Sequence, residues 1–491
     1  MGPIEQKRSV RKSPERLGRA GPGLRAPRPS KKEIAVRRTP SIVAVLACAA
    51  LARPAVGAEP PVLEVGIATR DITPDGPIWL NGYAARNRPS ERVDHPLEVT
   101  AVAFLDPSGE RVVLVAFDNC EPSPAYAAKL VGEIQAAHGL PEGAAILIPS
   151  HTHSAPVLED TLGEMFELDE AARAAVAAYS RRLREAAVAA VGAALADAAP
   201  ARLEHGRATA RFAINRRIYR ETDVVFGENP EGPVDRDVPV LKISRPDGSP
   251  RAVLFGYACH GTSIWEPDAY VVSGDYMAYA RMHIEAAFPG TKGVYLTGFG
   301  ADANPSPRGL LIHAKQHGLE LAGAVAGVLS RPLRPVAGPV RRAFARIDLP
   351  LAPPPSRERL QADAASPDRH VRARAKKWLA RLEEGGELPR SVSCPLAVVR
   401  FGRDLTFFFL AGEVVVDYAL RMKREFALEN PWFVGYAFEV PCYIPTKRIL
   451  IEGGYEAQSS LVYYGLYGPL LGRSEDLIVE KFRALLEATR I

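Results

Sequence analysis

Short apolar runs and helical patterns alternate along most of the chain. "VLEVGIATRDITP", "TAVAFLD", "RVVLVAFDN" and "AAILIPS" are each bounded by turn-forming residues and read as strands. "AYAAKLVGEIQAAHG" places its apolar positions three and four apart and ends in Gly139, which predicts an amphipathic helix. "DEAARAAVAAYSRRLREAAVAAVGAALAD" predicts a long Ala-rich helix stopped before Pro200, and further strands follow at "PVLKISR", "RAVLFGYAC", "GVYLTGFG", "VRRAFARIDL", "LAVVRFG" and "LTFFFLAG". This order predicts an α/β fold with mixed β-sheets covered by helices, in one large domain over residues 59–491. Residues 351–390 break the rhythm: proline-bounded, highly charged and helical in the middle, they predict a solvent-facing excursion in which His370 is solvated.

Charge is distributed unevenly. The formal net charge is +5, but residues 1–58 carry thirteen Lys/Arg against three Asp/Glu, so the remainder stands at −5. The order "KKEIAVRRTP", "SIVAVLACAALA", "RPAVGA" matches the basic, apolar and small-residue regions of a secretory signal, with cleavage expected after Ala58. The apolar stretch is short for a stable membrane anchor. Arg37-Arg38 leaves a twin-arginine route open, and "VLAC" ending at Cys48 is a second-ranked lipoprotein alternative. The expected location is therefore secreted or periplasmic, with the first forty residues an extended leader or an upstream start-codon error. Basicity confined to such a leader does not predict a nucleic-acid partner. Cys120, Cys259, Cys394 and Cys442 remain after cleavage; an oxidising compartment permits disulfides without requiring them, and the absence of a CxxC spacing argues against cysteine-held zinc.

HExxH, GxSxG and the P-loop pattern are absent, and "GFGADANP" lacks the third glycine of a dinucleotide loop. The chemistry-bearing candidates instead follow apolar runs. "IPSHTHSAP" puts His151 and His153 one residue apart; in extended backbone both would face one cavity. His260 ends "VLFGYACH", and Glu413 follows "FFFLAG". Strand ends are where ligands gather in α/β sheets, so these distant segments predict one pocket. Each residue alone has an ordinary reading, as a turn histidine or a helix-start glutamate.

Taken in order, "SHTHSAP", "NRR", "ACHGTS", "VSGDYMAYA", "GADANP", "AGE" and "CYIPT…GGYEAQSS" resemble the N-terminal catalytic domain of the neutral/alkaline non-lysosomal ceramidases, which are zinc-dependent amidases. The resemblance runs over roughly residues 62–470 and rests on order rather than on any single motif. It implies a zinc site made by His151, His260, Glu413 and Tyr443. It also implies catalytic roles for His153 and Arg216, and substrate contacts by Tyr455 and Asp302. Where the family has a serine in DxSP, this chain reads Asp302-Ala303-Asn304-Pro305, and the C-terminal β-sandwich of the ceramidases is expected to be missing. Asn304 cannot act as a nucleophile, so metal-activated water is the expected attacking group, with Asn304 orienting substrate or donating to the oxyanion. Only a two-residue slip would bring Ser306 into register.

These residues predict an exported zinc-dependent hydrolase of an amide (N-acyl) bond, acting on a small-molecule amide or lipid, with peripheral membrane contact left open. The alternatives are a secreted lipid- or glycan-binding protein that has lost catalysis, or a hydrolase of another acyl ester.

Overall fold

The computed structural model describes residues 62–163 and 165–490. The expected leader and signal lie outside the described residues. Three mixed sheets organise the chain. The first runs in the order Ala145–Pro149, Arg111–Phe117, Glu98–Leu105, Glu64–Asp71, Ala199–Pro200. The second runs Lys292–Thr297, Pro250–Tyr257, Asp237–Ser244, Arg202–Thr209, Arg334–Val336, and the third runs Val340–Pro350, Ser391–Phe401, Leu405–Leu410, Pro431–Val434.

Each sheet contains one parallel pair joined through a helix. Arg111–Phe117 reaches Ala145–Pro149 through the helix Pro124–His138, Pro250–Tyr257 reaches Lys292–Thr297 through Asp275–Ala287, and Leu405–Leu410 reaches Pro431–Val434 through Val416–Glu425. Parallel strands need such crossovers, and these bury both strand faces.

The burial explains why the strands read as unbroken apolar runs. Successive side chains on a strand point to opposite faces. Ile146 and Ile148, Ala252 and Leu254, and Phe407 and Phe409 all enter one central cluster shared by the three sheets. Their neighbours Ala145 and Leu147, Val253 and Phe255, and Phe408 and Leu410 point away, into three separate clusters formed with the covering helices. The three sheets thus meet back to back, each with its helices outside. Gly139 closes the helix Pro124–His138 in the left-handed conformation, as its position predicted.

The charged excursion is not simply solvent-facing. It links two strands that pair with each other, Val340–Pro350 and Ser391–Phe401, and contains the helices Arg357–Asp363 and Arg369–Glu383. Leu360 and Ala375 are fully buried, Trp378 donates to the Gly465 carbonyl (2.6 Å), and Arg374 donates to Leu466. His370, expected to be solvated, packs edge-on against Tyr463 with ring centroids 5.1 Å apart. Charge density concealed a narrow apolar stripe, which the segment uses to dock on residues 463–466. Cys120, Cys259, Cys394 and Cys442 are all free and buried.

Candidate metal centre

The ligand-bearing segments follow the carboxyl ends of strands in the three sheets: His151 after Ala145–Pro149, His260 after Pro250–Tyr257 and Glu413 after Leu405–Leu410. Backbone hydrogen bonds lace them together. His153 N–H donates to Gly261 O (2.9 Å), His260 N–H to Ala303 O (3.0 Å), Ala301 N–H to Val414 O (3.0 Å) and Glu413 N–H to Cys442 O (3.0 Å). Glu413 and Tyr443 are direct partners in a two-stranded parallel ladder, which brings that tyrosine to the same point.

The donor atoms converge. Glu413 Oε2 lies 3.2 Å from His151 Nε2 and 3.1 Å from His260 Nε2, and Tyr443 Oη lies 3.4 Å from His260 Nε2. A tetrahedral ion with ligands at about 2.0–2.1 Å needs donors about 3.3 Å apart, so the spacing fits zinc. The tautomers agree with this. His151 Nδ1 sits 2.9 Å from the Cys120 carbonyl and His260 Nδ1 3.3 Å from that of Gly300. Both rings therefore donate from Nδ1 and turn an Nε2 lone pair toward the Glu413 carboxylate. Three lone-pair donors facing one another in a buried site repel unless a cation stands between them.

The electrostatics follow from burial. His151, His260, Glu413 and Tyr443 are 1%, 1%, 3% and 4% exposed, so water does little to screen them. Burial, with the Arg216 guanidinium beside it, pushes His260 down to about 3. Burial disfavours the Glu413 charge, but in the absence of an ion positive charge on the His151 and His260 rings outweighs it and holds the carboxyl well below its usual range, the part a bound cation would take. Burial raises the Tyr443 phenol, partly offset by Arg216. A second trio, Cys120, His151 and His153, also clusters closely enough to hold an ion. It is the weaker site, because His151 Nδ1 is engaged by a carbonyl and burial raises the Cys120 thiol well above its ordinary value.

His153 is half-buried at the edge of the centre, its Nε2 3.2 Å from His151 Nε2. The two rings do meet, with centroids 4.8 Å apart, but not through extended backbone. His151 has φ of +59°, a left-handed turn that a non-glycine residue adopts at a cost and that functional sites retain. Gly82 presses on the other side of His153: a Cβ there would stand 2.3 Å from its Nδ1.

Arg216 lies on Ala213–Tyr219, fully enclosed. Its Nε donates to Glu456 (2.8 Å), Nη1 to Asn304 Oδ1 (3.3 Å) and Nη2 to Tyr443 Oη (3.0 Å), with Nη1 also 3.1 Å from His260 Nε2. Asn304 Oδ1 also accepts from Thr262 (3.3 Å), which leaves the amide NH2 as its outward end. Ser306 has no side-chain hydrogen bond among the described residues. Tyr455 packs on Tyr443 (5.5 Å) and Phe226 (5.6 Å), with Arg216 over its ring. Asp302 requires a correction. Its carboxylate is fully buried and accepts from Val416 N–H (2.7 Å) and Asn215 Nδ2 (3.2 Å), so it ties segments together rather than facing substrate.

Sequence reasoning missed several contributors. Tyr436 packs at a tilt against His151 (4.2 Å) and donates to Glu413 Oε2 (3.3 Å). Tyr464 donates to Glu413 Oε1 (2.5 Å) and lies 3.2 Å from the buried Glu121. Glu456 pairs with both Arg216 and Arg217. Only Glu456 had a signal, standing beside Tyr455 in "GGYEAQ"; the tyrosines read as ordinary core aromatics. A cleft of about 890 Å³ lined by Leu203, Lys242 and Val336 contains none of these residues, so donor geometry and not cavity size marks the site.

Neither a protein-family profile nor a curated protein sequence matches the chain. Solved structures do. A neutral ceramidase from Pseudomonas aeruginosa superposes with a TM-score of 0.65 at 18% identity, covering 88% of this chain and 76% of that one. The fold is that of neutral ceramidase. A ceramidase complexed with C2 superposes with a TM-score of 0.64 at 17% identity, over 88% of this chain and 76% of its own.

Proposed function

We propose that this chain is a ceramidase-like hydrolase that uses zinc to cleave an amide (N-acyl) bond. The observation that carries the reading is the meeting of His151 Nε2, His260 Nε2 and Glu413 Oε2 with Tyr443 Oη, at zinc-ligand spacing, inside a neutral-ceramidase fold. Zinc bound there would polarise a carbonyl and lower the pKa of water to about 7.

The chain's own groups take the remaining roles. His153, half-buried and beside His151, accepts and returns the proton that the attacking water and the leaving amine exchange. Arg216 holds the Tyr443 oxygen and the Asn304 carbonyl end, so the Asn304 NH2 is aimed outward as a donor to the developing oxyanion. Tyr455 and the half-exposed Phe226 supply an apolar wall for the acyl part. With asparagine at 304, no serine nucleophile is needed. We also propose export, supported by the basic, apolar and small-residue order of residues 31–58.

The test is metal analysis of the purified chain together with a screen of N-acyl amides of differing chain length. Stoichiometric zinc and release of fatty acid, both lost in Glu413→Gln, are expected. A zinc-free chain that still turns over amides would overturn the metal assignment, and a zinc-loaded chain that cleaves only esters would overturn the amide assignment.

A further inference from the structure

Tyr455 packs on Tyr443, whereas a second group of residues packs on His153. Tyr83 packs edge-on against the His153 ring at 4.9 Å and against Trp265 at 4.3 Å. Arg308 Nη2 donates to Tyr83 Oη (3.2 Å), and Tyr83 Oη donates to the Ile264 carbonyl (3.1 Å). Trp265 is fixed by its backbone bond to Gly309 (2.7 Å). Tyr83, Trp265 and Arg308 are each partly exposed, so this cluster opens to solvent beside the metal centre.

Its charge is unbalanced. Arg86 lies over the Tyr83 ring (4.8 Å), only 2% exposed, and donates to the Asn81 and Ala269 carbonyls; its Nη2 has no hydrogen-bond partner among the described residues. Neither Arg86 nor Arg308 has a carboxylate partner among the described residues. The acids on the surrounding loop are engaged elsewhere: Asp268 by Arg92 and Leu311 N–H, Asp275 by Ser263 and Tyr276 N–H groups. Glu266, on the same loop, is exposed. A buried guanidinium without a counter-ion is costly, and a half-buried one beside it with Nε and Nη1 unengaged is a ready partner for an anion.

We propose that Arg308, framed by Tyr83 and Trp265 and backed by the positive field of Arg86, forms a subsite for a carboxylate on the amine side of the scissile amide. The substrate is then an N-acyl amino acid-like compound rather than a neutral N-acyl alcohol. The word substrate rests on the hydrolase reading above; the anion site does not. A single arginine with unengaged N–H groups matches a carboxylate, whereas a phosphate dianion calls for more donors than the cluster offers, the one Tyr83 hydrogen being given to Ile264 O.

The test uses two probes that amide hydrolysis cannot consume: dodecylsulfonyl glycine, which carries the carboxylate, and dodecylsulfonyl ethanolamine, which lacks it. Calorimetric binding to the full chain is expected to favour the glycine probe by about tenfold or more, the scale of one charged hydrogen bond. Arg308→Gln should erase that preference and leave the affinity for the neutral probe unchanged, and Arg308→Lys should restore part of it. Equal affinity in the unaltered chain, or a preference that survives Arg308→Gln, overturns the subsite. Release of lauric acid from N-lauroylglycine is measured in parallel. A preference with no release from N-lauroylglycine or from any member of the N-acyl amide screen leaves the subsite standing and overturns the hydrolase reading; release without preference does the reverse.

Discussion

His151 and His153 stand one residue apart in the sequence and sit in different surroundings. His151 is enclosed, its Nδ1 held by a carbonyl and its Nε2 toward Glu413, whereas His153 is half-buried and its Nδ1 has no partner among the described residues. Proton transfer by a placed side chain contributes about 10²–10⁴-fold, so His153→Ala should lower kcat by that order while zinc content, read by elemental analysis, stays at the unaltered level. Loss of zinc together with activity would place His153 among the ligands instead. Gly82 permits this arrangement. With φ of +89° it occupies a region that favours glycine, and a Cβ would stand 2.3 Å from His153 Nδ1 and 2.4 Å from its Cγ. Gly82→Ala is expected to displace the ring and reduce turnover on the order of 10²-fold with zinc retained, the scale of an ångström of misplacement. The adjacent question of register has a similarly direct check. Asn304 touches Arg216 and Thr262, while Ser306 has no side-chain hydrogen bond among the described residues. Asn304→Ala should therefore depress kcat strongly and Ser306→Ala hardly at all; the opposite pattern would restore a serine mechanism and shift the alignment by two residues.

Among elements, the strands and long helices were legible because double burial writes itself as apolar runs and helix caps as glycine or proline punctuation. "AAILIPS" and "LTFFFLAG" became strands with alternate residues in two clusters. Helical docking of the excursion was less legible, because its apolar stripe is narrow and its composition polar. That stripe has a consequence for the site. Trp378 donates to Gly465 O (2.6 Å), the residue after Tyr464, and Tyr464 in turn holds Glu413 Oε1 (2.5 Å). Trp378→Ala should destabilise the chain by about 3 kcal/mol, the scale for truncating a buried aromatic. It should also weaken zinc retention, because Glu413 loses the support of a fixed Tyr464. Denaturant unfolding and zinc titration check the two parts, and a variant that loses stability with unchanged zinc affinity would detach the excursion from the site.

At the scale of the whole molecule, three sheets share one core and deliver three candidate ligands from the carboxyl ends of strands in three βαβ units, separated in sequence by up to 262 residues between His151 and Glu413. Apolar periodicity could foretell the strand ends but not which sheet would stand beside which, since that depends on contacts such as Phe104 on Phe401 between distant segments. The resemblance in motif order supplied what periodicity could not, and it left out the aromatic and acidic residues packed behind the candidate ligands. Because the ligands come from all three layers, a bound ion ties the layers together and is present only in the folded state. Linkage then requires that zinc raise stability by about 2.7 kcal/mol at a free concentration one hundred times its dissociation constant. Its removal also leaves the His151, His260 and Glu413 lone pairs opposed in a site that water barely reaches. Chelation is therefore expected to lower the thermal midpoint by several degrees, reversibly on return of zinc, and to lower it much less in Glu413→Gln, which has no intact site to empty. An unaltered midpoint after verified zinc removal would mean that the ion does not distinguish the folded chain from the unfolded one, contrary to a site assembled from three sheets.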